Sequence, residues 1–177
     1  MENNGHKVSF EALLTEVEWN DLKVKTPSII AVINLSDRLS RLKKNRFSVL
    51  FYGVSGTGKT IAATLLAKQL NREIYRVNLS HIITKYIGET EKNLNRLFKK
   101  TTNKNWILFF DEADALFGKR TEVNDAHNRY ANQEVSYLLR CIKSHPGIIF
   151  LSVNKKKIKN KTFKKRFDAV VKFKPGE

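Results

Sequence analysis

Three stretches of the chain are almost continuously apolar: FSVLFYG at 47–53, WILFF at 106–110 and IIFLSV at 148–153. Two shorter ones, IYRVNL at 74–79 and AVVKF at 169–173, read as further strands, the first by its alternation. Apolar runs of strand length without alternation are the mark of strands buried on both faces, which occur in parallel sheets. Between them lie segments with helical spacing. PSIIAVINLSDRLSRLKK, 27–44, has Ile29, Ile30, Ile33, Leu35, Leu39 and Leu42 at roughly helical spacing, with Pro27 suited to a first helical turn. KTIAATLLAKQL, 59–70, predicts a second helix, and ETEKNLNRLFKK, 89–100, a third, with acids early and Lys late as the helix dipole favours. ANQEVSYLLRCIKS, 131–144, predicts a fourth, stopped by Pro146-Gly147. Strands alternating with helices predict an α/β fold of three αβα layers around a mainly parallel five-stranded sheet. Residues 1–17 read as a short, weakly ordered lead-in and 18–177 as one domain, with no internal repeat and no Pro/Gly/Ser linker.

Composition changes this picture little. Of 177 residues, 41% are hydrophobic and 28% charged, ordinary for a soluble globular domain. The opening MENNGHKVSF has no apolar signal core, no run approaches a membrane span, and a single Cys141 rules out an internal disulfide or a Cys-based zinc site. Together these predict a cytoplasmic protein. The net charge of +16 is unusual, and residues 154–177 carry nine Lys, one Arg and two acids, a net of +8. Such a cluster suits nucleic acid or an acidic partner, and it equally suits a solvated Lys-rich surface. Within the densest Lys run, 155–161, no aromatic interleaves as a base-stacking platform requires, which favours the solvated surface.

The chemistry is concentrated in two places. GVSGTGKT, Gly53 to Thr60, satisfies G-x-x-x-x-G-K-[ST] with a strand before it and a helix after it. The loop Gly53, Val54, Ser55, Gly56, Thr57 and Gly58 can curl so that its N–H groups face phosphate oxygens, and the helix offers its positive end to the same anion. Lys59 can reach the β- and γ-phosphates and the Thr60 hydroxyl can ligate Mg²⁺. A plain Gly-rich turn explains the glycines but not Gly-Lys-Thr in register, so the motif predicts a P-loop nucleotide site for ATP and Mg²⁺.

The second place is ILFFDEAD, 107–114, where a buried run ends in adjacent acids. A strand beside the phosphate loop must deliver a carboxylate that organises Mg²⁺, and Asp111 fits. Glu112 can then orient or deprotonate the attacking water, and Asp114 reads as a loop brace. The alternative is a pair of solvated loop acids, which the phosphate loop 52 residues earlier argues against. The letters D-E-A-D do not make a helicase, since Lys59 and Asp111 lie too close to hold the intervening strands and a second RecA-like domain is absent.

With these motifs in view, the chain resembles the AAA+ ATPases in their AAA branch, from about Trp19 to Phe173. SVLFYGVSGTGKT resembles the family's first strand and Walker A loop, KYIGETEKNLNRLF its pore loop and following helix, and ILFFDEADALFGKR its Walker B region. FLSVN resembles its sensor-1 strand and FKKRFDAVVKF its second region of homology. EWNDLKV and the stretch after DEAD look most like bacterial AAA proteins encoded beside phage-tail-like contractile injection systems. The resemblance implies a P-loop NTPase fold and assigns further roles. Asn154 matches sensor 1, Arg166 an arginine finger reaching a neighbour's ATP, and Lys85, Tyr86 and Ile87 a pore loop that grips polypeptide. Trp19 to Val24 match the segment lining the adenine. By chemistry alone Asn154 reads as an ordinary strand-end amide and Arg166 as a surface cation, and Tyr86 could equally pack in a core. Two positions depart from the family: Lys165 stands where a second finger Arg is frequent, and Asn160 where an Asp is common. The chain also ends at KPGE, where the family's helical lid begins, so the expected unit is the core without a lid.

The resemblance implies an ATP-hydrolysing machine, a ring or hexamer of identical copies that remodels a protein substrate. A nucleotide-binding module with little turnover, and a nucleic-acid-associated ATPase acting through the Lys-rich segment, are the alternatives.

Overall fold

The computed structural model of the chain describes residues 10–19, 26–41, 46–84, 86, 88–114, 126–154 and 161–175. In chain order the elements are β1 (Phe10–Ala12), α1 (Thr26–Ser40), β2 (Phe47–Gly53), α2 (Lys59–Gln69), β3 (Ile74–Asn78) and α3 (Glu89–Thr101). They continue with β4 (Ile107–Asp111), α4 (Ala126–Ser144), β5 (Ile148–Val153), α5 (Lys161–Lys164) and β6 (Ala169–Phe173). The strands form one sheet in the order β1-β3-β4-β5-β2-β6. Every pairing is parallel except β1 with β3.

The five expected strands are all present, and the sheet has a sixth. β1 comes from the segment expected to be a lead-in. Its three residues carry no apolar alternation that could announce a strand, because only Phe10 packs inward while Glu11 and Ala12 are exposed. Tertiary contacts hold it. Phe10 meets Tyr75 and Trp106 edge-on at ring-centroid distances of 6.4 and 5.9 Å, and β1 covers the otherwise open edge of β3.

Strand parity divides the core into two layers. On one face Leu50, Val77, Leu108, Phe110, Ile149 and Leu151 pack with Leu94 and Leu97 of α3 and Leu138 and Ile142 of α4. On the other, Val49, Phe51, Phe109, Phe150 and Phe173 pack with Val32, Leu35 and Leu39 of α1 and Ala62, Ala63 and Leu66 of α2. This is the three-layer αβα arrangement. On α1, Val32, Leu35 and Leu39 face the sheet, whereas Ile30 and Ile33 are 51% and 39% exposed. The helix carries more apolar residues than one face can hold, so hydrophobic spacing alone did not define its orientation. α4 begins at Ala126, five residues before the apolar pattern starts. Among the described residues, no helix is long and apolar enough to cross a membrane.

β6 lies against β2 so closely that Gly53 has no room for a side chain. A Cβ there would sit 2.5 Å from the Phe173 carbonyl oxygen. Gly53→Ala is therefore expected to push the end of β6 off the sheet at a cost of about 1–3 kcal/mol. A thermal melt should show a fall of several degrees, and an unchanged midpoint would mean that β6 can yield freely.

Candidate functional site

The C-terminal ends of β2, β4 and β5 converge where ligands bind in open parallel sheets. β2 ends in the loop 54–58, and α2 begins at Lys59. Gly56 and Gly58 have φ of +75° and +81°, the left-handed region that suits glycine. Gly53 is needed for a different reason, the close passage of β6. The turn is braced from within, since the Thr57 hydroxyl is buried and donates to the Val54 carbonyl at 2.7 Å. Val54, Ser55 and Gly56 are exposed. No side chain caps α2 and no acid lies in its first turn, which leaves first-turn N–H groups available to an anion.

Lys59 folds back over this loop, with Nζ donating to the carbonyls of Gly53 at 3.1 Å and Val54 at 2.8 Å. Half-burial lowers its pKa from the ordinary lysine value, while Asp111, and then Asp114 and Glu112, pull it back up. The ammonium is thus partly desolvated, with three carboxylates near enough to act on its charge.

Asp111 closes β4. Its Oδ2 accepts from the Thr60 hydroxyl at 3.1 Å, bringing together the two side chains expected to serve a metal. Oδ1 accepts from the Glu112 N–H at 3.0 Å. Glu112 itself has φ +50°, a left-handed conformation that costs a non-glycine residue about 1 kcal/mol or more and turns its carboxylate into solvent. Asp114 receives the Asn154 N–H on both carboxylate oxygens, at 3.0 and 2.8 Å, and the Ala113 N–H bonds to the Ser152 carbonyl at 2.9 Å. These bonds tie the end of β4 to the end of β5, so Asp111, Glu112 and Asn154 form one rigid ledge beside the loop.

One member of the site was not anticipated. Arg76 of β3 donates from Nη2 at 2.6 Å and Nε at 3.2 Å to Oδ2 of Asp111. The hydrogen bond to Asp111 holds its guanidinium pKa above the usual value. The signal was available in principle. Asn78 pairs with Asp111 and Arg76 with Phe109, so Arg76 and Asp111 share a sheet face two residues apart in register. Reading it required knowing that β3 and β4 are neighbours.

The remaining expected residues lie elsewhere. Arg166 is exposed and precedes β6, at the end of the sheet opposite its own phosphate loop. The β2–β6 register, Val49 with Ala169 to Gly53 with Phe173, separates the two ends by about 13 Å of strand. Tyr86 is 73% exposed, so it does not pack in the core. It sits just before α3, whose left-handed N-cap Gly88 starts the helix and whose Thr90 accepts from the Thr84 N–H at 3.0 Å. Lys85 and Ile87 lie outside the described residues, as do 20–24 of the expected adenine segment and Asn160. Trp19 packs partly buried against the α1/α2 side of the core.

These residues fit a magnesium nucleotide. Thr60 and Asp111 supply two hard oxygens, and among the described residues no three His, Cys, Asp or Glu side chains converge on a metal. Such a partial set suits Mg²⁺, which is held by one or two protein oxygens together with phosphates and waters.

Residues 49–175 match the family described as "ATPase family associated with various cellular activities (AAA)". An "Uncharacterized AAA family ATPase y4kL" of Sinorhizobium fredii is 29% identical over 171 residues, 92% of this chain and 52% of the relative. A "Putative cell division cycle ATPase" of Plasmodium falciparum is 30% identical over 159 residues, 85% of this chain and 12% of the relative. A "Peroxisomal ATPase PEX6" of Kluyveromyces lactis is 38% identical over 121 residues, 64% of this chain and 12% of the relative. The chain thus spans about half or much less of the length of these relatives.

Proposed function

Because the chain belongs to the AAA family of ATPases, we propose that it binds ATP with Mg²⁺ at Gly53–Thr60 and Asp111 and hydrolyses it, in a ring of copies that acts on a protein partner. The observation that carries this reading is the 3.1 Å contact of Thr60 with Asp111 beside an uncapped helix N-terminus and a half-buried Lys59. The loop N–H groups and Lys59 hold the β- and γ-phosphates. Thr60 and Asp111 hold Mg²⁺, which when bound would offset charge on the phosphate oxygens. Glu112 orients a water and takes its proton. Asn154, fixed through its backbone to Asp114, presents an amide to the γ-phosphate. Arg166 completes the site of another copy, since its own loop lies at the far end of the sheet. Tyr86, exposed before α3, meets the polypeptide. Within the family, the stretch EWNDLKV and the residues after Asp114 favour bacterial AAA proteins encoded beside contractile injection systems, a reading that rests on sequence resemblance alone.

Lys59→Ala tests the site itself. Removing a charge-assisted donor from a phosphate costs about 1.5–3 kcal/mol, so ATP affinity measured by calorimetry should weaken roughly ten- to a hundredfold. Equal affinity in the variant would remove the phosphate loop from the account.

A further inference from the structure

One oxygen of the Asp111 carboxylate is oversubscribed, while Oδ1 takes only the Glu112 N–H. The Asp111 side chain is 8% exposed, yet Oδ2 alone receives three donors: Thr60 Oγ1 at 3.1 Å, Arg76 Nη2 at 2.6 Å and Arg76 Nε at 3.2 Å. A carboxylate oxygen offers two lone pairs, so a metal ion or its water can approach Oδ2 only if a donor withdraws. Thr60 can ligate a metal through a lone pair and still donate its proton to Asp111. Arg76 has no such option, because a guanidinium is donor-only and always charged. It does have somewhere to go. Its side chain is 37% exposed, and Nη1 lies 3.6 Å from Oε2 of Glu11 on β1. Arg76 therefore stands between two carboxylates, one at the nucleotide site and one on the edge strand.

We propose that Arg76 is a placeholder cation: it neutralises and orients Asp111 while the site is empty, and swings toward Glu11 when Mg²⁺ takes its place. The inference rests on the nucleotide-site reading and adds to it a residue that sets how much Mg²⁺ the site requires. The guanidinium and Mg²⁺ compete for the charge of one carboxylate and repel each other at short range. Loss of the charge at 76 makes Mg²⁺ easier to bind, whereas a residue that merely supported the fold would make it harder.

The test measures ADP affinity by calorimetry in EDTA and across a series of Mg²⁺ concentrations. In Arg76→Gln, the half-saturating Mg²⁺ concentration should fall about three- to tenfold relative to the unsubstituted chain. Arg76→Lys keeps the charge but not the fork, so it should lower the Mg²⁺ requirement less than Arg76→Gln does. Should the Gln variant fail to fold, Arg76→Met repeats the measurement with a side chain that retains the apolar stem. An unchanged or higher Mg²⁺ requirement in the neutral variants would overturn the inference, and Mg²⁺-dependent ADP binding by the unsubstituted chain would leave the nucleotide site standing. Absence of ADP binding by the unsubstituted chain under every condition would overturn both.

Discussion

Arg166→Ala should lower ATP turnover by roughly a thousandfold or more, the range for a guanidinium that offsets transition-state charge in phosphoryl transfer. ATP affinity should hardly change. The two effects should separate because Arg166 is exposed and lies at the end of the sheet away from its own loop. Its backbone is held firmly enough to aim the side chain. The Arg166 N–H bonds to the Phe163 carbonyl at 3.1 Å, and Phe167 is buried against the Phe163 ring at 5.3 Å. Asp168 then clamps β6 to β2, accepting from the Ser48 N–H at 2.8 Å and the Ser48 hydroxyl at 2.7 Å. Arg166→Lys should not restore the rate, because an ammonium lacks the planar fork. Steady-state phosphate release read beside calorimetric affinity checks this, and a variant that loses binding and turnover together would place Arg166 in its own copy's site.

Glu112→Gln should lower turnover about a hundred- to ten-thousandfold, the usual worth of a positioned general base. The amide keeps the shape and hydrogen-bonding length of the carboxylate, so the left-handed backbone at φ +50° and the bond from the 112 N–H to Asp111 should persist. ATP should therefore bind as before and accumulate unhydrolysed, which single-turnover kinetics would read directly. A variant that still hydrolyses at near the original rate would return Glu112 to the status of a solvated loop acid.

Local chemistry was the part most readily read from the chain. The phosphate loop is eight consecutive residues whose backbone needs are specific, and Asp111-Glu112 ends a buried run that no ordinary turn explains. The layered fold followed from continuous apolar strands. What escaped was whatever depends on neighbours distant in sequence. β1 is held by pairing and by Phe10 packing on two rings, neither of which three residues can announce. Arg76 meets Asp111 only because β3 lies beside β4. Gly53 is required by the Phe173 carbonyl, 120 positions away, as well as by the motif it opens. α1 carried two candidate apolar faces, and the choice between them was made by the sheet it packs on. Tyr86 could be read as core or surface, and its 73% exposure decides for surface.

A working site that draws residues from two copies is tested by co-purifying Arg166→Ala and Glu112→Gln chains and measuring ATP turnover of the mixture. The first variant keeps an intact Glu112 and needs a finger; the second supplies one. Turnover well above the average of the two variants assayed separately is the predicted result. A mixture no more active than that average would contradict a site shared between copies.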